Sequence, residues 1–389
     1  MKIIFIGQKG VPSKSGGVEK HVEELAVGLA AKGHEVLAYT RPHYTDPNVT
    51  EYKGIKLISL PSLKTKNLDA ISHTFLACLD LMRRKVDVIH FHSIGPSSLI
   101  WLARIIKPSA KIVATFHCQD YYHKKWSLFG RMYLKFGEWM ACHAADKTIT
   151  VSKQLKIYAS NEYGVNAEYI PNGVPTADFK SVNEIKTLWD LEKDSYILAV
   201  SRLVRHKGIH YLIEAFKKLA TDKKLVIVGE GAFTDDYVTE IKALASTDNR
   251  IIFTGAQHGD VLKELLSNAY LFVQPSESEG LSIALLEAMS YAKTAVVSDI
   301  PENMEAISDT GVTFNSQNAF SLSDKLSALL NDPQRVFELG QTAMKRAASE
   351  YNWEMIVSNT EQLYGQLLAE RLAVKLKHQS IATRFSSFL

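Results

Sequence analysis

Pro171-Asn172-Gly173-Val174-Pro175 decides how the rest of the chain is read. Before it, short apolar runs alternate with helix-period segments: KIIFIG (2–7), a helix from about Val18 to Lys32, then EVLAYT (35–40), IKLISL (55–60), DVIHFH (87–92), KIVATFH (111–117) and KTITVS (147–152). After it the alternation starts afresh with YILAVS (196–201), KLVIVG (224–229), RIIFTG (250–255), AYLFVQ (269–274), TAVVS (294–298) and VTF (312–314). A cluster of Pro, Gly and Asn between two complete series marks a linker. The runs are continuous in Val, Ile and Leu, the pattern of strands covered by helices on both faces of a parallel sheet. The expectation is an α/β chain of two Rossmann-like, doubly wound domains facing a cleft, with a tail from about Trp353 to Leu389 that is amphipathic and basic near its end.

Composition agrees with two cores. The 389 residues are 46% hydrophobic and 22% charged, which excludes a disordered chain and a single small module. The leading residues hold an apolar run only from Ile3 to Ile6, and no window approaches the ~18 uncharged apolar residues of a membrane span. Cys78, Cys118 and Cys142 lie far apart without a CxxC pair, which argues against a disulfide framework or zinc ribbon and for a reducing cytoplasm. The net charge of +3 divides unevenly: residues 1–175 carry 23 Lys+Arg against 14 Asp+Glu, a net +9, and residues 176–389 carry 22 against 28, a net −6. Such a split speaks about partners and not about fold.

Ligands of parallel α/β sheets bind outside the carboxyl ends of the strands, so each strand-to-loop junction is a candidate. The first, Gly7 to Glu19, is not GxGxxG and carries no NAD fingerprint. Its Gly16-Gly17 pair either lets backbone amides approach an anion at a helix N-terminus or forms a plain turn in which Glu19 complements the helix dipole. At the second, Ser201-Arg202-Leu203-Val204-Arg205-His206-Lys207-Gly208, Arg202 and Lys207 can converge on a diphosphate, the guanidinium by planar recognition and the ammonium as a point charge. At the third, Glu279 precedes a helix whose free amides come from Gly280, Leu281 and Ser282, and Glu287 lies about two turns in. Two carboxylates at that spacing can take separate tasks around one ligand.

EGLSIALLEAM (279–289), preceded by SRLVRHKG (201–208), with GGVE (16–19) after the first strand and IPNGV (170–174) at the linker, resembles the glycosyltransferases of family 4, whose fold is GT-B. GQKGVPSKSGGVEKHVEEL (7–25) and TFHCQDYYHKKW (115–126) look further like the branch that builds bacterial polysaccharides, rhamnosyltransferases among them. The resemblance implies that Arg202 and Lys207 hold the donor diphosphate, that Glu287 bonds the ribose, and that Glu279 bonds the transferred sugar. Backbone amides at Gly16, Gly17 and Gly280 to Ser282 complete the phosphate site, and His117 stands beside sugar and acceptor. It also implies retention of anomeric configuration, no metal and no cofactor. A last helix, residues 365–389, would cross back onto the N-terminal acceptor-side domain (1–175), leaving 176–364 as the donor-binding domain and sharpening the charge split to +12 against −9. Ser201 stands where many relatives have Gly, and Leu281 where many have Phe, so the donor sugar is left open.

His90 and His92, at i and i+2 of one strand, join Asp120 as acceptor-side candidates, and with His117 they also form a rival metal site. Tyr121, Tyr122, Trp126 and Trp139 near Lys124 and Lys125 read either as an acceptor or membrane-interface surface or as helix packing. The function expected is a retaining glycosyltransferase that passes a hexosyl or deoxyhexosyl group from a nucleotide-sugar donor to a saccharide or lipid-linked saccharide in cell-surface polysaccharide synthesis. Peripheral contact with anionic membrane at the inner face of the plasma membrane is expected and nucleic-acid binding is not. The alternatives are a nucleotide-sugar hydrolase or epimerase on the same scaffold and a non-catalytic nucleotide-sugar binder. A glycosidase fits poorly, because its carboxyl groups flank the scissile bond at ~5–9.5 Å.

Overall fold

The computed structural model describes residues 1–65, 68–119, 121, 127–231 and 234–386, with side chains to residue 373. Two compact units emerge: Met1–Val151, Leu155–Ile170 and Glu354–Leu389 form the first, and Ser152–Gln154 with Pro171–Trp353 the second. The division falls at Ile170/Pro171, inside the IPNGV stretch, and the chain rejoins the first unit from Glu354, earlier than the residue 365 expected from the family's last helix.

In the first unit eight strands, β1 (Lys2–Ile6), β2 (Glu35–Thr40), β3 (Glu51–Tyr52), β4 (Ile55–Ser59), β5 (Val88–His92), β6 (Lys111–Phe116), β7 (Lys147–Thr150) and β8 (Glu168–Tyr169), make one sheet. Their order is β3-β4-β2-β1-β5-β6-β7-β8, parallel except for the β3–β4 pair. Alternation along β5 separates two environments. Ile89 and Phe91 join a core with Ala77 and Cys78 of the helix Asp69–Asp80, Ile100 and Ala103 of the helix Ile100–Ile106, and Met140 and Ala141 of the helix Leu128–His143. His90 and His92 face the other side, against Phe5. That side is covered by the helix Gly17–Ala31 and by the C-terminal helix Trp353–Ser386. The two meet where Gly28 has no side chain: a Cβ there would lie 2.5 Å from Val357 Cγ2. Glu361 bonds Lys32 Nζ and His34 Nε2, each at 2.7 Å, and those two bonds hold its carboxyl below the usual range.

The second unit has six strands, β9 (Tyr196–Val200), β10 (Lys224–Val228), β11 (Ile251–Gly255), β12 (Leu271–Gln274), β13 (Ala295–Ser298) and β14 (Val312–Phe314). They lie parallel in the order β11-β10-β9-β12-β13-β14. Both sheets therefore reverse direction of growth at their first strand, between β1 and β5 and between β9 and β12. A crevice opens outside the carboxyl ends of strands at such a switch point. The loops leaving β9 and β12 carry the second and third candidate junctions, the loop leaving β1 is the glycine loop, His90 and His92 lie at the carboxyl end of β5, and His117 follows β6.

Candidate functional site

Three backbone contacts hold the loops of the second unit together. Gly208 is left-handed, with φ +69°, and a Cβ on it would stand 2.0 Å from the Pro275 carbonyl oxygen. Gly229, with φ +143°, comes as close to the Ser201 carbonyl, 1.8 Å from where its Cβ would be. Glu277 N donates to His206 O at 2.7 Å. Only glycine permits the first two approaches. The result places Lys207 Nζ 2.6 Å from Glu279 Oε1, with the side chains 14% and 8% exposed. Ser276 Oγ donates to the same carboxylate oxygen at 2.6 Å. Arg202 is exposed on the first loop, and Glu287 is half-buried within the helix Ile283–Ser290 that follows the second. Ser201, the residue that departs from the family's glycine, is half-buried, and its hydroxyl has no hydrogen-bond partner among the described residues.

A buried polar chain that the sequence reading missed supports the loop before that helix. Ser282 caps the helix by accepting from Leu285 N at 3.4 Å and itself donates to Gln274 Oε1 at 2.6 Å. Gln274 Nε2 donates to Asn303 Oδ1 at 2.7 Å, Asn303 Nδ2 donates to Ser298 Oγ at 2.9 Å, and Ser298 Oγ donates to Ser276 O. Asn172 of the linker donates to Leu281 O at 2.7 Å. These bonds define where the Gly280 and Leu281 backbone sits. Close by, burial pushes the Glu302 carboxyl up, and the Glu279 and Glu305 carboxylates add to the effect.

In the first unit the glycine loop is folded by side chains from its own helix and from one tyrosine. Glu19 Oε1 accepts from Lys9 N at 3.2 Å, Glu23 Oε2 from Ser13 N at 2.7 Å, and Tyr44 Oη from Lys14 N and Ser15 N at 2.6 and 2.8 Å. Gly7, with φ +120°, leaves room for the His92 carbonyl, 2.3 Å from where a Cβ would be. Gly16 and Gly17 open the helix Gly17–Ala31, where Glu19 bonds across the loop as well as lying in the first turn.

The histidines are divided in a way that spacing alone did not show. His90 has both ring nitrogens engaged, Nδ1 with Tyr364 Oη at 2.6 Å and Nε2 with Thr115 Oγ1 at 2.7 Å, so it pins the C-terminal helix to the sheet. His92 Nδ1 lies 3.1 Å from His117 Nε2, and His92 Nε2 is buried without a partner among the described residues. The third member of the group is His21, from the second turn of the helix Gly17–Ala31, its ring 4.9 Å from that of His117. His21, His92 and His117 offer ligand atoms within 4.8 Å of one another, and by distance alone they are the residues that could hold a metal ion. Among the described residues His21 stands in this group where His90 was anticipated; Asp120, with Tyr122, Lys124, Lys125 and Trp126, lies outside the described residues. Burial, with neighbouring histidines adding to it, lowers the His92 and His117 imidazoles well below their ordinary range, and burial does the same to His90. All three are neutral at physiological pH. His21 carried a legible signal, since a residue four beyond Gly17 on the same helix faces the same side.

Comparison with known proteins places both halves. Residues 15–178 match the family described as Glycosyltransferase Family 4, and residues 182–347 the one described as glycosyl transferases group 1. An uncharacterised glycosyltransferase of Methanocaldococcus jannaschii is 27% identical over 94% of this chain and 98% of its own. The N,N'-diacetylbacillosaminyl-diphospho-undecaprenol alpha-1,3-N-acetylgalactosaminyltransferase of Campylobacter jejuni is 29% identical over 56% of each chain. Sucrose-phosphate synthase of Thermosynechococcus elongatus superposes with a TM-score of 0.81 at 22% identity, over 95% of this chain and 99% of that one, a likeness of fold.

Proposed function

Since the chain belongs to the family 4 glycosyltransferases, with the GT-B fold, we propose that it is a retaining, metal-independent enzyme. It moves a hexosyl or deoxyhexosyl group from a nucleotide-sugar donor to a hydroxyl of a saccharide or lipid-linked saccharide in cell-surface polysaccharide synthesis. The observation that carries this reading is the Lys207–Glu279 contact at the β9/β12 switch point, in front of the helix Ile283–Ser290. An ammonium has three donors. One meets Glu279, and the others are free in chemistry to take oxygens of a diphosphate, with Arg202 supplying a second cation and the amides of Gly280 to Ser282 completing the cradle. Both bonds to the Glu279 carboxylate fall on Oε1, so Oε2 is the oxygen for a sugar hydroxyl. Glu287 would take the ribose hydroxyls, and Gly16, Gly17 and His117 are the site residues proposed for the first unit.

The difficult event is departure of the nucleoside diphosphate. The bond from the anomeric carbon to the β-phosphate oxygen breaks, and negative charge grows on that oxygen. Cations and amides already fixed around it stabilise that charge more in the transition state than in the bound donor. The acceptor hydroxyl oxygen then bonds the anomeric carbon from the same face, and its proton passes to the departing phosphate oxygen. The enzyme would work in the cytoplasm, peripheral at the inner face of the plasma membrane. Lys207→Ala tests the assignment: kcat for nucleoside diphosphate release should fall by roughly 10²–10³ while donor Kd changes far less. Equal kcat in variant and wild type removes Lys207 from the mechanism.

A further inference from the structure

The outward face of the helix Leu128–His143 is apolar where a surface helix is ordinarily polar. Phe129, Met132, Phe136 and Trp139 are 80%, 64%, 45% and 46% exposed. Their spacing of three and four residues makes one stripe, which His143 continues. The opposite face, with Leu134, Glu138 and Ala141, is buried, so the stripe is not the helix's core face. The rings form a ladder: Phe136 and Trp139 stack at 6.3 Å and 18°, and Trp139 and His143 at 4.9 Å and 21°. Alongside, Trp101 and Ile105 of the helix Ile100–Ile106 are 46% and 68% exposed, and Arg104 ties that helix to the first by donating to Ala144 O at 2.9 Å.

Charge separates the candidate occupants. Between Ile94 and Lys147 the sequence holds eight Lys+Arg and three acids, Asp120, Glu138 and Asp146. Glu138 is fully buried, and Asp146 is taken up by Arg104 and Lys111 at 2.8 and 3.2 Å. Of the basic groups Arg104, Lys111, Lys135 and Lys147 are ion-paired, and Arg131 is exposed next to the stripe with no ion pair among the described residues. Two copies meeting through this face would bring like charges together. Aromatic rings beside basic groups match the interface of an anionic bilayer. No helix among the described residues is long and apolar enough to cross a membrane, so the contact lies along the surface.

We propose that this face, formed by Trp101, Ile105, Phe129, Met132, Phe136 and Trp139, docks the protein on an anionic lipid bilayer. The choice of a bilayer rests on the reading of a lipid-linked acceptor. The test is flotation of the full chain with vesicles containing phosphatidylglycerol and with vesicles of phosphatidylcholine alone, at low and high salt. Binding should favour the anionic vesicles and weaken with salt. Phe136→Ser with Trp139→Ser should lower the partition coefficient by about tenfold or more per residue, whereas Phe337→Ser, 62% exposed in the second unit, should leave it unchanged. Binding without salt sensitivity, equal binding by the double variant, or a wild-type dimer in sedimentation that the double variant abolishes would each overturn the proposal. Nucleoside diphosphate release is followed in the same preparations. Acceptor-dependent release without vesicle binding overturns the docking face alone, and vesicle binding without release overturns the transferase reading alone.

Discussion

Replacing Gly208 by alanine tests whether the loops after β9 and β12 act as one device. Gly208 follows Lys207 directly, and its missing Cβ would stand 2.0 Å from the carbonyl oxygen of Pro275, the residue that begins the loop holding Glu279. Non-bonded heavy atoms settle at ~3.5 Å, so the two loops must part by about 1–1.5 Å. The contact between Lys207 and Glu279 spans 2.6 Å and cannot absorb that displacement. Misplacing a reacting or charge-stabilising group by ~1 Å costs ~10²-fold in rate. A left-handed φ adds roughly 1–2 kcal/mol of strain for any residue with a Cβ. Gly259→Ala separates the two effects, because Gly259 is also left-handed, at φ +57°, with nothing within 4 Å of its Cβ position. Urea denaturation should show both variants weakened by the conformational strain, and steady-state nucleoside diphosphate release should show the ~10²-fold fall in kcat/KM only for Gly208→Ala. Equal kcat/KM in the two variants would refute the coupling of the loops.

Asn303→Leu removes the central member of the buried polar chain and strands Gln274 Nε2 and Ser298, so unfolding free energy should fall by roughly 2–4 kcal/mol; a change within error shows that the chain does not support the loop. Stability should also depend on pH through His90, His92 and His117. Their folded-state affinity for protons is lowered by burial, so the unfolded chain takes up protons that the native one does not once the pH drops below ~6.5. Their contribution is therefore full above that pH and is lost on acidification, at up to ~4 kcal/mol per pH unit for three groups, and a flat profile of denaturation midpoints through the mildly acidic range contradicts it. Excess chelator should leave turnover unchanged; loss of activity that a divalent ion restores would instead assign His21, His92 and His117 as a metal centre.

The two parallel sheets were legible because their strands are buried on both faces and written as unbroken apolar runs. Glu51–Tyr52 and Glu168–Tyr169 were not, since two-residue strands are too short for any periodicity and owe their state to the neighbours they pair with. The residue types at the carboxyl ends of β9 and β12 marked these loops as candidates, yet the direct Lys207–Glu279 contact depends on Gly208 and Gly229, whose close approaches join loops distant in sequence. Spacing grouped His90 with His92 because a strand repeats every second residue. It had no means of revealing that Tyr364, 274 residues further on, closes over His90 and that His21 replaces it beside His117. For Trp139 the sequence left open an interface surface or helix packing, and only the burial of the opposite face of the helix Leu128–His143 shows that its ring, with Phe129, Met132 and Phe136, lies on the exposed side.

The most direct test of the account is release of nucleoside diphosphate from a panel of nucleotide sugars, with and without a bacterial membrane lipid extract, for the wild-type chain and Lys207→Ala. Release from one donor should depend on the extract and be nearly abolished in the variant. Release that proceeds equally without the extract would make the protein a nucleotide-sugar hydrolase and contradict transfer.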